Sequence, residues 1–309
     1  MHKNILVIGG TRHVGKLLVQ KLVNAGHQVT IATRGRAPDP FGARIQRIRV
    51  DRRDEAAMRR AFASIEGYDI VYDQMCYSPL DAAIAVRVFA GRVKRYIVAS
   101  TVDVYRGLMG NQESPFAEND LNVLGQLIDT RYPWHDPSRA VESYVAGKLQ
   151  AEAYLYRDGS LPLVTARMGH VLAGPEDFTG RLAHYVDLVR LRAPLRYSNA
   201  AAASSFINAH VASSFLAWTG AQDFTGPINA ACDGGMSAFD LLHRAGRALD
   251  ETVSAIPAAK LAAAGELSPF DYPHALMMDT SRAALLGYRF GHIDEWADDV
   301  IRQHDLAFV

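Results

Sequence analysis

Apolar positions in the first half of the chain alternate between short continuous runs and stretches of helical spacing. Ile5-Leu6-Val7-Ile8 is apolar throughout, the pattern of a strand buried on both faces of a parallel sheet. Val14, Leu17, Leu18, Leu22 and Ala25 then recur at helical spacing, and Gly26 stops that helix. Val29–Ala32 reads as a second strand. Asp54-Glu55 predicts the capped start of a helix running to about Ser64, since acids favour the positive end of a helix. Asp69–Tyr72 and Arg95–Ala99 read as strands. Pro79 opens a helix to about Ala90, because its missing N–H would have no helical partner there. A helix over Ala140–Asp158 and a strand over Leu163–Ala166 complete the rhythm.

Strands separated by helices of this length require right-handed crossovers. The expected fold class is therefore α/β, a Rossmann-type doubly wound parallel sheet with a smaller C-terminal substrate-binding lobe. The dinucleotide-binding domain is expected over residues 1–174, with strand and helix returns near 205–220 and 275–287, and the lobe mainly over 175–309. Within the lobe, Gly180–Arg192, Ser237–Leu249 and Ala258–Ala264 read as helical. Arg106–Arg139 is irregular, interrupted by Gly107, Gly110, Pro115, Pro133 and Pro137. A connection that long in a compact domain is usually a functional lid or a disordered segment, and its Arg131, Trp134 and His135 are candidates for a substrate mouth.

The first strand runs into Gly9-Gly10-Thr11-Arg12-His13-Val14-Gly15. Glycine permits a sharp turn and close approach of phosphate oxygens, and the following helix N-terminus adds partial positive charge. A glycine triplet alone is weak. Here a buried strand precedes it, an amphipathic helix follows, and a second strand comes at the expected distance. The turn is read as a dinucleotide site built by Gly9, Thr11, Arg12, His13, Val14 and Gly15. The second strand ends in Thr33-Arg34-Gly35-Arg36, where an NAD site usually places an acid for the ribose hydroxyls. Arg34, with Arg12 and Arg36, suits a 2′-phosphate instead, so NADP(H) is favoured and NAD(H) is the other reading. Asp51 and Arg52, after the third strand, are placed beside the adenine, where Asp51 can accept from the amino group.

Composition narrows the partners. Lys+Arg and Asp+Glu are both 33 in 309 residues, for a net charge of zero, which counts against nucleic-acid binding in general. Two cysteines, Cys76 and Cys232, are too few for a disulfide framework, and no zinc-type spacing occurs, so no metal is expected. No apolar run approaches the ~20 residues needed to span a bilayer, so no membrane is expected. The N-terminus runs straight into a strand without a signal peptide, and a cytoplasmic location is expected.

Tyr144 and Lys148 stand one helical turn apart, on one face of a helix. A nearby ammonium lowers a phenol's pKa, which lets the phenol exchange a proton with a substrate alcohol or carbonyl. Thr101 ends a buried strand, at the carboxyl edge where ligands bind in such sheets.

Taken together, the Gly9–Gly15 turn, Ser100-Thr101…Val104-Tyr105, Tyr144…Lys148, Arg167-Met168-Gly169-His170-Val171…Gly174-Pro175 and Asp279-Thr280-Ser281-Arg282 resemble the extended short-chain dehydrogenase/reductases of the NAD(P)-dependent epimerase/dehydratase type. The Gly9-Gly10-Thr11-Arg12 variant is similar to a branch that includes chloroplast stem-loop RNA-binding proteins and bacterial epimerase-like relatives. The resemblance implies Thr101, Tyr144 and Lys148 as catalytic residues, Lys148 also on the nicotinamide ribose, Met168 and Val171 near the nicotinamide, and a possible homodimer. Residue 106 departs from it, being Arg where the family usually has glycine. Related 4,6-dehydratases carry two acids after the Thr. Here those positions are Val102 and Asp103, which ranks simple redox chemistry above dehydration. Asp103 is either a further acid/base or a strand-end carboxylate bonded to backbone. The expected activity is hydride transfer at a secondary alcohol or ketone of a nucleotide sugar or similar polyol. Arg181, Arg190, Arg192 and Arg196 are available for a pyrophosphate, although a solvated helix face accounts for most of them. The alternative is a catalytically silent NAD(P)-binding regulator or RNA-binding relative.

Overall fold

The computed structural model describes residues 2–258 and 268–308. All but the first residue of the helix expected over 258–264 lies outside them.

In chain order the elements are β1 (Asn4–Ile8), α1 (His13–Asn24), β2 (Gln28–Thr33), β3 (Gln46–Arg49), α2 (Glu55–Phe62), β4 (Ile70–Asp73), α3 (Pro79–Phe89), β5 (Tyr96–Thr101), α4 (Tyr144–Asp158), β6 (Leu163–Met168), β7 (His170–Leu172), α5 (Arg181–Arg190), β8 (Leu195–Tyr197), β9 (Phe206–Asn208), α6 (Ala209–Thr219), β10 (Gly226–Ala230), α7 (Ala238–Ala248), β11 (Ala255–Pro257), α8 (Ser281–Leu285) and α9 (Ala297–Phe308). The local signals act where expected. Asp54 caps α2 by accepting from the Ala57 N–H, Ser78 caps α3 with Pro79 in its first turn, and Gly26 sits at φ 80° just beyond α1.

Seven strands form one sheet in the order β10-β6-β5-β4-β1-β2-β3. The pairs β1–β2, β2–β3, β1–β4 and β4–β5 are parallel. The chain builds outward from β1 to β3, then crosses to β4 and builds the other way. The order therefore reverses between β1 and β4, the switch point at which doubly wound sheets bind ligands. Register brings the strand ends together there: Ile8 lies opposite both Ala32 and Asp73. Met58 and Phe62 of α2, Ala85 and Phe89 of α3, and Ala151 and Leu155 of α4 join Leu6, Val71, Tyr96 and Val98 in one buried cluster. That burial is the main force holding the helices to the sheet.

The chain divides into two compact units. The first takes in residues up to Val104, Glu118–Arg167 and Ser213–Ile228; the second takes in Tyr105–Ala117, Met168–Ala212 and the chain from Asn229 onward. Segment 275–287, expected to return to the dinucleotide-binding domain, belongs to the second unit, where Leu276 and Met278 are buried. In the second unit, β7 pairs with β9 and β8 with β11, both parallel, and α5, α7 and α9 pack on one another. Cys76 and Cys232 are buried free thiols. Among the described residues no helix is long and apolar enough to cross a membrane.

Candidate active site

β1 ends in Gly9 and Gly10, which stand at φ 100° and 95°, a region open to glycine and strained for other residues. Space imposes the same demand. A Cβ on Gly10 would lie 2.9 Å from Val19, and one on Gly15 would lie 3.0 Å from the Gly10 nitrogen. The turn is pinned at its edges, where the Gly9 N–H donates to the Ala32 carbonyl and the Gln74 N–H to the Ile8 carbonyl, at 2.9 and 3.1 Å. α1 begins at His13, itself at φ 51°, with no side-chain cap at Arg12 and no acid in its first turn. A tight glycine cradle leading into an uncapped helix N-terminus fits a dinucleotide pyrophosphate, so the residues present suit the cofactor. The sequence reading missed Gln74 and Met75, which follow β4 and wall the turn; a Cβ on Gly9 would meet them at 3.3 and 3.2 Å. The signal was there, since β4 is the strand across the switch point.

Arg34 and Arg36 are exposed beyond the end of β2, and no carboxylate replaces the missing acid at that strand end. Asp51, past the end of β3, caps its own loop by accepting from the Arg53 N–H at 3.0 Å. The Arg52 guanidinium is buried, ion-paired with Asp73 and 3.2 Å from Asp81, and donates to the Asp81 carbonyl at 2.7 Å. Tyr96 donates to Asp73 at 2.8 Å, and His135 approaches Asp81 at 3.2 Å. Burial pushes the Asp81 carboxyl up, but the Arg52 charge and the His135 hydrogen bond bring it down to about 2. A buried guanidinium held by two carboxylates is a structural ion pair, and leaves its loop fixed rather than poised for a phosphate.

The three catalytic candidates all belong to the first unit. α4 begins at Tyr144, later than the expected Ala140, because Pro137–Arg139 forms a separate tight turn capped by Asp136. Tyr144 is thus the first residue of the helix and is half-buried. Lys148, one turn on, is buried. It donates to the Ala99 carbonyl at 2.7 Å and lies 4.2 Å from the centre of the Tyr77 ring. Burial lowers its pKa, countered by Cys76, Asp73, Asp81 and Glu152. Thr101 ends β5, and its hydroxyl donates to the Asp103 carboxylate at 2.9 Å and accepts from the Asp103 N–H at 3.2 Å. Asp103 therefore sets the direction of the Thr101 hydroxyl.

Arg167 and Glu152 form a second buried pair at 2.7 Å, with Ser100 also donating to Glu152. Arg167 donates to the Glu118 carbonyl at 3.0 Å, which ties down part of the long irregular segment. Asp129 N–H donates to Gln150 of α4 at 2.7 Å, and Arg157 of α4 donates to the Leu124 carbonyl. Trp134 is buried rather than lining an open mouth, while Arg131 is exposed. The stretch 118–139 is thus a tethered flank of α4.

Met168 and Val171 fall in the second unit. Between them His170 is buried, with its Nε2 3.1 Å from the Tyr272 hydroxyl, and Arg106 donates to that hydroxyl at 2.9 Å. The Arg106 guanidinium lies 4.9 Å from the Tyr272 ring centre, and Arg181 lies 4.9 Å from that of Phe270. His170 stacks with Tyr272 and packs on Phe270 at 4.7 Å. The result is a continuous guanidinium–ring–imidazole–ring–guanidinium column. Arg190 and Arg192 are committed to Asp305 and Glu251 at the surface. Among the described residues no group of His, Cys, Asp and Glu can hold a metal ion.

The fold agrees with known proteins. The chain is similar to the Bordetella bronchiseptica enzyme WbmG, solved with NAD and UDP, at a TM-score of 0.72 and 18% identity over 100% of this chain and 94% of that one. It is similar to the Thermotoga maritima UDP-glucose 4-epimerase solved with UDP-glucose, at a TM-score of 0.72 and 16% identity over 99% and 100% of the two chains. The Thermus thermophilus UDP-glucose 4-epimerase solved with NAD gives a TM-score of 0.64 and 17% identity, over 96% of this chain and 98% of that one. These likenesses establish the fold. The chloroplast stem-loop binding protein of 41 kDa b from Arabidopsis thaliana is 32% identical over 116 residues, 33% of this chain and 30% of that protein, so the match spans less than a third of the relative. A family model described as NAD(P)H-binding matches residues 9–185, more than half of the chain. With its glycine turn at the switch point of a Rossmann-type sheet, the chain belongs to this NAD(P)H-binding family.

Proposed function

We propose that the protein is an NAD(P)-dependent oxidoreductase or epimerase-type enzyme that acts at a secondary alcohol or ketone of a nucleotide sugar or similar polyol, the bound nicotinamide supplying or accepting the hydride. The observation that carries this reading is Lys148. It is a buried ammonium on the helix that opens with Tyr144, bonded to the strand that ends in Thr101. In this scheme Tyr144 moves the proton at the substrate oxygen, and the Lys148 charge holds its phenol closer to neutrality. Thr101 holds the same oxygen, its hydroxyl exchanging the Asp103 carboxylate for the substrate.

The arginines beyond β2 favour NADP(H); the Bordetella bronchiseptica and Thermus thermophilus relatives were solved with NAD, which makes NAD(H) the competing cofactor. Equilibrium binding decides between them. NADPH is expected to bind the wild type more tightly than NADH and to lose that advantage in Arg34→Ala, whereas tighter NADH binding by the wild type sinks the preference. For the reaction, thermal shift with a panel of nucleotide sugars in the presence of cofactor identifies the ligand, because ligand binding raises Tm by mass action. Turnover of that ligand by Tyr144→Phe is expected to fall by about a hundredfold or more; unchanged turnover refutes the mechanism.

A second reading, an RNA-binding relative without turnover, has the stem-loop binding match in its favour. A zero net charge gives it no general polyanion field. Gel-shift titration with a stem-loop RNA separates the two.

A further inference from the structure

We infer that Tyr77 is a positioning residue for the Lys148–Tyr144 pair, its ring forming the floor on which the Lys148 ammonium rests. The inference rests on the catalytic reading above, which it deepens by naming what holds the lysine.

Position 77 is fixed from below. The chain leaves β4, and the Tyr77 N–H donates to the Asp81 carboxylate at 2.9 Å. Asp81 is itself held by Arg52 and His135, and Ser78 caps α3 by accepting from the Asp81 N–H at 3.1 Å. The Arg52 ion pair therefore anchors the Tyr77 backbone. α4 is then seated directly on it. A Cβ at Gly147 would lie 2.2 Å from the Tyr77 carbonyl oxygen, so the helix reaches this depth only because residue 147 is glycine. The next residue is Lys148, whose Nζ lies 4.2 Å from the Tyr77 ring centre, within cation–π range. The Tyr144 ring stands 6.1 Å from the same ring, tilted by 45°.

The choice of a ring has a chemical consequence. Among the described residues Lys148 has no ion-pair partner; Cys76, Asp73, Asp81 and Glu152 act on its charge from a distance. An ammonium has three donors, and a carboxylate partner would engage them and neutralise the charge. The Tyr77 face favours the charged form while leaving donors beyond the one given to Ala99 for a hydroxyl-bearing ligand. Arg52 and Arg167, by contrast, are locked by carboxylates.

The test follows the Lys148 titration by NMR in the full chain with 13C-labelled lysine, assigned with Lys148→Arg, and needs neither cofactor nor turnover. Tyr77→Phe keeps the ring and is expected to titrate like the wild type. Tyr77→Leu removes it and is expected to lower the Lys148 midpoint by about half to one pH unit. Should Tyr77→Leu not fold, fluorinated phenylalanines at position 77 preserve the shape while draining the ring face of negative potential, and the midpoint is expected to fall stepwise with fluorine number. A midpoint that ignores ring electronics, or that falls as far in Tyr77→Phe as in Tyr77→Leu, overturns the inference. In an active enzyme, Tyr77→Leu moves the pH profile of kcat more than KM. A wild type without turnover on any nucleotide sugar defeats the proposed function, and the titration still decides the role of Tyr77.

Discussion

In the first unit two buried guanidiniums are held by carboxylates, Arg52 by Asp73 and Asp81 and Arg167 by Glu152, while a third, Arg95, lies over the Phe224 ring and donates to the Thr219 carbonyl. The second unit seats Arg106 and Arg181, which are exposed or half-buried, on Tyr272 and Phe270. The two devices serve different ends. A carboxylate saturates a guanidinium and fixes the backbone around it, at a desolvation cost that only good geometry repays. An aromatic face orients a cation and leaves its N–H groups for something else. Lys148 lies in the first unit and, like Arg95, is held on an aromatic face rather than by a carboxylate.

The largest expected effect follows from breaking a carboxylate-locked pair. Arg167→Met leaves Glu152 charged and buried, and is expected to lose about 3–5 kcal/mol of stability in denaturant unfolding. An unchanged midpoint would mean that the pair is not structural. Acid gives an effect of roughly 2 kcal/mol through Asp81. Its folded-state pKa, about 2, lies below the usual carboxylate value, so its contribution is fully present above about pH 4 and is lost as pH falls towards 2. Unfolding measured across that window is expected to steepen there, and the acid-dependent loss shrinks in Arg52→Met, which removes the charge that holds the carboxyl down. The smallest stability effect belongs to the ring-held cations. Arg106→Ala is expected to change stability by no more than about 1 kcal/mol in denaturant unfolding. A large stability loss would erase the distinction between ring-held and carboxylate-held cations.

Much of the fold could be read from local pattern. Strands β1, β2, β4, β5 and β6 are runs of apolar residues, and the caps at Asp54 and Ser78-Pro79 act within a few residues of themselves. The glycine turn was legible for the same reason. The ion pairs of Arg52 were not legible because its partners Asp73 and Asp81 are remote in the chain and meet it only through the crossover to β4. Tyr77 carried no signal of its own, since its ring matters only once Gly147 lets α4 settle against it. The Arg106–Tyr272–His170 column joins three distant stretches of chain, and no periodicity announces it.

By itself, then, the sequence determined the alternation of strands and helices, the phosphate-type turn between β1 and α1, and the Tyr144–Lys148 spacing, because each depends on neighbours within a turn or a strand. Tertiary structure alone decided which cations are locked and which are held for use. That choice depends on desolvation and on partners delivered from elsewhere in the chain, and only the packed fold supplies both.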